Sequence, residues 1–362
     1  MYVVLFYVIF IIIYCKFLFF DNINIYYKLS MTNINIKDRI KLYKHYNNLI
    51  TNVEDKNAFF TKEDVLGEGN QGKVYKYCKK KKCANSEIAV KKMYLDYKEG
   101  KYTEDMYNAK ALRYGIYIEL ASNQLINELI LQRVSPNFIL HYTHNFQERD
   151  SVCSETYPYK SYFYNEFINN AESYTEWASH TNSMHLWYNA LFQITSAIYV
   201  LQKYFNMTHL DLHSENILVR KISKGGYWTY KINDKEYKVP NLGYQFYISD
   251  FGHAWIPNNF KSWFISQRYK KKRIHKGFDM YQLFKSTMPF TTSPPQFRKD
   301  VKYVINKLRN NNNFEDIIDK IWGDRYDISN KKTTSKELDV FDMTKELKIG
   351  NIPEELKHLI LY

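Results

Sequence analysis

The chain has 362 residues, 45% of them apolar, which suits one large domain or two bodies around a cleft and argues against a disordered chain. Its 51 basic and 38 acidic residues leave a net charge of +13, favouring acidic peptides, nucleic acid or an anionic surface, although lysines on solvated positions explain the same balance. The 34 tyrosines and 23 phenylalanines accompany heavy use of Lys, Asn and Ile, all with A/T-rich codons, so they reflect base composition before any aromatic-binding role.

Residues 1–20 (MYVVLFYVIFIIIYCKFLFF) are apolar except for Lys16. A spanning helix needs about 20 apolar residues, and Lys16 could snorkel. The basic residues Lys28, Lys37, Arg39, Lys41 and Lys44 would then keep the rest of the chain cytosolic. The run lacks the basic n-region and small-residue cleavage site of a signal peptide. A membrane anchor, a buried apolar segment and a leader upstream of a start at Met31 all stay open. Residues 21–59 read as a helical, amphipathic lead-in.

Val65-Leu66-Gly67-Glu68-Gly69-Asn70-Gln71-Gly72-Lys73-Val74-Tyr75-Lys76 follows. Its strand-like arms predict a hairpin, and Gly67, Gly69 and Gly72 would let backbone N–H groups approach phosphates. A dinucleotide-binding fold would need a helix after the third glycine; here a strand and a lysine-rich turn follow. Cys15, Cys78, Cys83 and Cys153 show no metal-binding pair spacing, and Cys78 and Cys83 flank the four lysines of that turn. Ile88-Ala89-Val90-Lys91 reads as a strand whose lysine points away from its core-filling neighbours, with Lys92 on the opposite side. A long connection over 92–123 leads to a helix over Ile126-Asn127-Glu128-Leu129-Ile130-Leu131, exiting to a strand near Leu140. His141 and His144 lie among tyrosines without a carboxylate or cysteine cluster, which favours a structural role.

An apolar helix over Leu191 to Leu201 runs into His209-Leu210-Asp211-Leu212-His213-Ser214-Glu215-Asn216-Ile217-Leu218-Val219. An aspartate that can accept a hydroxyl proton and, five positions on, an amide oxygen that can hold a metal suit phosphoryl transfer. Residues 220–247 read as an inserted hairpin, with strands at Tyr227 to Ile232 and Tyr237 to Pro240. Tyr247-Ile248-Ser249-Asp250-Phe251-Gly252 places a second carboxylate at a strand end, and a basic run, Arg268 to Lys276, comes after it.

Together these motifs resemble those of the eukaryotic-type protein kinases, in the order glycine loop, strand lysine, catalytic loop and Asp-Phe-Gly. The resemblance covers residues 60–330. It implies an α+β, bilobal fold: a small β-rich N-lobe (60–168), a mainly helical C-lobe (169–330) and a tail (331–362). By the same resemblance, Lys91 and Glu128 form the ion pair that positions the nucleotide phosphates, with Glu119 as the alternative partner. Asp211 serves the acceptor hydroxyl, and Asn216 and Asp250 hold Mg2+. Val74, Ala89 and Leu218 would enclose the adenine of ATP, whose edge meets backbone groups from Glu166 to Ile168, with Asn165 at the entrance to the back pocket.

Several positions depart from the family. Leu210 replaces the arginine that reads a phosphorylated activation loop, Gln71 replaces an aromatic residue, His213 replaces a lysine near the γ-phosphate, and no Ala-Pro-Glu follows Asp250. Asp-Leu-His, the hairpin insertion and Phe278-Asp279-Met280-Tyr281-Gln282-Leu283 look like the haspin-type and large-DNA-virus branch, in which Asp279 would brace the catalytic loop. The expectation is an ATP- and Mg2+-dependent serine/threonine kinase of the cytoplasm, acting on protein substrates that the basic run biases towards acidic sequences, with no specific nucleic acid as partner. ATP chemistry implies reduced cysteines. A pseudokinase interaction module and a small-molecule kinase are the rival readings.

Overall fold

A computed structural model describes residues 35–51, 60–69, 72–79, 82–95, 115–148, 159–256, 277–287, 293–310, 313–326 and 336–350. The apolar run 1–20 and the basic run Arg268 to Lys276 lie outside them. Helix α1 (Ile36–Thr51) opens the described chain. Asn35 caps it through the Asp38 N–H, and Asp38 sits in the first turn, where the helix dipole favours a carboxylate.

Strands β1 (Phe60–Gly69), β2 (Gly72–Lys79), β3 (Lys82–Leu95), β4 (His141–Glu148) and β5 (Tyr159–Glu166) form one antiparallel sheet in the order β1-β2-β3-β5-β4. The glycine-rich segment is therefore the β1–β2 hairpin, closed by the pair Gly69 and Gly72. Helix α2 (Gly115–Leu131) starts well before the expected Ile126. Leu120, Ala121, Leu125, Ile126, Leu129 and Ile130 are buried, so this apolar helix is stabilised by packing on more than one side. Its chain then turns at Arg133, in the left-handed region at φ 56, and the N–H groups of Val134 and Ser135 both return to the Leu129 carbonyl.

Beyond β5 come β6 (Ala171–Ser173), α3 (Tyr174–His180), α4 (Met184–Phe205), β7 (Ile217–Lys221), β8 (Tyr227–Ile232), β9 (Lys235–Pro240) and β10 (Tyr244–Ile248). A capping box between Ser173 and Glu176 starts α3, and Asn206, left-handed at φ 49, ends α4. Helix α4 is buried continuously from Trp187 to Leu201 and forms the centre of this part. Aromatic residues surround it: Trp177 meets Trp187 at 5.1 Å and Phe246 at 5.0 Å, and Phe192 meets Tyr230 at 5.1 Å and Trp322 at 5.4 Å. Whatever drove their abundance, these rings fill the core, with edge-to-face geometry that adds to area burial. Helices α5 (Phe278–Thr287), α6 (Pro295–Arg309) and α7 (Phe314–Tyr326) complete the α+β architecture.

Two small sheets flank α4. One runs β10-β7-β6; the other runs β11-β8-β9, where β11 (Glu337–Asp342) pairs parallel to β8. The insertion after the catalytic loop is thus the expected hairpin, turning at Asn233 (φ 52). The segment after residue 331, expected as a charged tail, instead supplies a strand. The expectation of reduced thiols also fails at Cys78, which is buried at the end of β2 and disulfide-bonded. Among the described residues no helix is long and apolar enough to cross a membrane.

Candidate active site

Lys91 projects from the middle of β3 and is 8% exposed. Its Nζ lies 2.7 Å from Glu119 Oε2 and 2.8 Å from Asp250 Oδ1. Glu128, the expected partner, is not there. Its carboxylate accepts from Gln132 Nε2 at 2.8 Å and from the Gly350 N–H at 3.3 Å. Nine residues at 100° each put Glu119 and Glu128 on opposite sides of α2, so only one can meet Lys91, and it is Glu119.

One ammonium between two carboxylates leaves an excess negative charge. Burial works against the Lys91 charge, but Glu119 and Asp250 outweigh it and push its pKa up. Burial, helped by the Asp250 carboxylate and opposed by Lys91, lifts Glu119 from 4.5 to about 7. Asp250 is held below the ordinary carboxylate range: burial alone would raise it, but Lys91, His209 and the Gly252 N–H outweigh that cost. The buried glutamate is therefore the member of the trio that takes a proton first.

The catalytic-loop sequence forms an ordered arch between α4 and β7. Leu210 adopts a left-handed conformation at φ 63, costly for a side chain with a Cβ, and is fully buried against Phe278 and Trp255. Asp279 from α5 holds that geometry, accepting the His209 N–H on Oδ2 and the Leu210 N–H on Oδ1, both at 3.0 Å. The burial of Asp279 raises its pKa against these bonds. His209 Nδ1 faces the Asp211 N–H at 3.3 Å and its Nε2 faces the Ser249 carbonyl at 2.9 Å, so Nε2 carries the proton. Its ring packs 4.7 Å from Phe251.

Asp211 is left accessible, with 36% of its side chain exposed. Two imidazoles approach its Oδ2: His213 Nε2 at 3.7 Å and His253 Nε2 at 3.9 Å. His253, one residue past Asp-Phe-Gly, had no signal in the sequence motif. Asn216 donates Nδ2 to the Asp211 carbonyl at 2.8 Å, which turns its amide oxygen the other way. The Asn216 carbonyl accepts from Ser249 N at 3.0 Å and Ser249 Oγ at 3.1 Å. Because β7 and β10 are antiparallel with Ile217 opposite Ile248, Asn216 and Asp250 emerge from adjacent strand ends. Asp250 is left-handed too, at φ 60, and such strained residues gather where surrounding structure dictates their conformation.

A carboxylate and an amide oxygen are hard donors that suit Mg2+, which typically takes only one or two protein ligands besides phosphate and water. The donor set fits the ion. Among the described residues no group of three or more His, Cys, Asp or Glu forms a larger metal cluster.

The register of the large sheet places the remaining expected residues. Val74 pairs with Lys91 and Ala89 pairs with Asn165, so Val74, Ala89 and Asn165 lie on the face that carries Lys91. Leu218 is half-buried on β7, and Ile168 is buried just past β5. Glu166 ends β5 with its N–H on the Leu140 carbonyl at 2.8 Å and its carboxylate on the opposite face from Asn165, paired with Arg39 of α1. Gly67 has open space where a Cβ would stand. His141 is buried beside Asn165, its Nδ1 2.8 Å from Asn165 Oδ1; burial and then His144 drive its pKa down to about 3.

No protein-family model matches the chain. It is 26% identical over 212 residues to the “probable serine/threonine-protein kinase 380R” of Invertebrate iridescent virus 6, covering 57% of this chain and 38% of that protein. It is 32% identical over 111 residues to the uncharacterized protein 011L of Invertebrate iridescent virus 3, covering 31% of this chain and 14% of that protein. A frog virus 3 protein, 019R, whose name also designates a serine/threonine-protein kinase, is 36% identical over 66 residues, 18% of this chain and 8% of that one. The chain thus spans well under half the length of these relatives. It is a divergent, kinase-like relative of these viral proteins.

Proposed function

We propose that the chain is a bilobal, ATP-dependent protein kinase that uses Mg2+ and phosphorylates serine or threonine. The single observation that carries this reading is the position of Lys91 between Glu119 and Asp250, on strands and a helix that converge on Asp211 and Asn216. In this reading the sheet with α2 (60–168) is the N-lobe, the helical part (169–330) is the C-lobe, and the nucleotide lies between them. The names of the viral relatives favour serine and threonine as acceptors.

Lys91 would neutralise phosphate oxygens while Glu119 holds its ammonium in place. Asn216 and Asp250 would hold Mg2+, which neutralises charge on the phosphates when bound. Asp211 would orient the acceptor hydroxyl and take its proton as the hydroxyl oxygen bonds to the γ-phosphorus. The bond from that phosphorus to the bridging oxygen breaks, and ADP leaves with the electron pair. His213 and His253 flank the carboxylate that performs this step. Such transfer depends on positioning and charge neutralisation. A preference for acidic acceptors and a cytosolic location, with or without anchoring by residues 1–20, belong to the same proposal and rest on the sequence.

Asp211→Ala should lower phosphate transfer from radiolabelled ATP to mixed acceptor proteins by about 10³-fold, with nucleotide binding by calorimetry retained. Equal transfer by wild type and variant would overturn the assignment. Nucleotide binding by wild type with no turnover on any protein would favour an interaction module, and turnover only on small alcohols a small-molecule kinase.

A further inference from the structure

One of the most deeply buried charges in the described structure lies outside every motif above. Arg39, on α1, is 1% exposed and uses its guanidinium in several directions. Nε donates to Glu166 Oε1 at 2.8 Å and Nη2 to Glu166 Oε2 at 2.7 Å. Nη1 donates to the Pro136 carbonyl at 2.6 Å, and Nη2 also reaches the Phe138 carbonyl. The guanidinium carbon stands 5.1 Å from the centre of the Tyr247 ring. Glu166 Oε2 accepts from the Leu140 N–H at 3.2 Å as well.

These contacts join three segments that lead into the site. Residues 134–140 are the exit from α2, the helix that carries Glu119. Glu166 is the last residue of β5, where the chain leaves the sheet. Tyr247 lies on β10, three residues before Asp250. Replacing a buried ion pair by apolar residues of similar volume is often neutral or stabilising, so the pair is weak evidence of a purely stabilising role. What a planar fork with directional donors does supply is geometry.

We infer that Arg39 is a positioning residue for nucleotide binding: through Glu166 and the Pro136 and Phe138 carbonyls it sets the backbone that meets the base. This rests on the kinase reading. Glu166 does not touch the base with its carboxylate, which points to α1; its contribution is the orientation of the Glu166–Ile168 backbone. The helical segment 36–51 is then part of the nucleotide-binding unit, although it precedes the residues that resemble a kinase.

The test compares wild type, R39M, the double variant R39M/E166M and E166Q on the full chain. Mg-ATP affinity is read by calorimetry, KM and kcat by transfer assay, and folding by thermal unfolding. R39M alone should unfold at a much lower temperature, because it strands a buried carboxylate. The double variant should regain most of that stability, yet bind Mg-ATP about 10-fold more weakly, with KM raised and kcat within about 3-fold of wild type. E166Q, which keeps the shape of the side chain, should weaken binding by several-fold and decides the matter should the double variant fail to fold. A folded double variant, or failing that E166Q, with wild-type affinity would overturn the inference and leave Arg39 a structural residue. A wild-type chain that binds no nucleotide would sink the kinase reading and this inference with it.

Discussion

At the scale of single residues, the choice between Glu119 and Glu128 shows how much a half-turn matters. Both glutamates sit in apolar helical sequence, and both precede the strand that follows α2. Packing separates them: Glu119 shares its face with fully buried Ser122, Ile126 and Ile130, whereas Glu128 shares its own with half-exposed Gln124, Leu131 and Gln132. Glu119→Gln should lower kcat/KM by about 10²-fold, since Lys91 would lose a charge-assisted bond that holds it in place. Glu128→Gln should stay within about 3-fold of wild type. Steady-state kinetics on the two variants check this, and the reverse ranking would return Glu128 to the site.

At the scale of elements, the glycine hairpin combines two glycines with different constraints. A Cβ on Gly72 would lie 2.1 Å from the Lys92 carbonyl oxygen, a backbone atom that cannot step aside. A Cβ on Gly67 would meet nothing within 4 Å. Gly72→Ala should therefore cost about 1–3 kcal/mol through forced displacement of β3, whereas Gly67→Ala should leave folding stability nearly unchanged. Denaturant titration of both variants tests the contrast. Should Gly67→Ala keep its stability but lose nucleotide affinity, close backbone approach to phosphate would be the reason for that glycine. The arch between α4 and β7 makes the same point from the other side: Leu210 can remain left-handed because Asp279 ties down both N–H groups around it.

At the scale of the whole molecule, both ends of the described chain return to the exit of α2. Arg39 of α1 reaches the Pro136 and Phe138 carbonyls. After β11, the Asp342 N–H bonds the Arg133 carbonyl, the Lys348 N–H bonds Gln132 Oε1 at 3.0 Å, and the Gly350 N–H bonds Glu128. The two ends also meet each other, with Ile36 N on Asp339 Oδ2 at 3.3 Å. Just beyond that exit segment, at the start of β4, lies His141, whose backbone is clasped by Asn127 of α2 at 2.7 and 3.0 Å. Its folded pKa of about 3 lies below the ordinary 6.5, so the fold favours the neutral ring. His141 thus contributes stability that is fully present above pH 6.5 and is lost as pH falls towards 3. His141→Phe should flatten that acid-side loss: the difference in unfolding temperature between wild type and variant should change between pH 7 and pH 4. A pH-independent difference would mean that the ring is not buried neutral. Taking the difference also removes the opposite slope that Glu119, raised to about 7, imposes on both proteins.

The motifs that resemble those of the protein kinases were enough to pick out Lys91, Asp211, Asn216, Asp250 and the glycine hairpin as candidates, because each motif is written in adjacent residues of one strand, turn or loop. The hairpin insertion was legible for the same reason, its strands and turn being contiguous. Tertiary packing decided the rest. Which glutamate meets Lys91 depends on which side of a mostly buried helix faces the sheet. Arg39, His253 and β11 act on partners that are distant in sequence, 127 positions away for Arg39 and Glu166, so no spacing rule could announce them. A charge can be buried only where those distant partners converge, and only the folded chain brings them together.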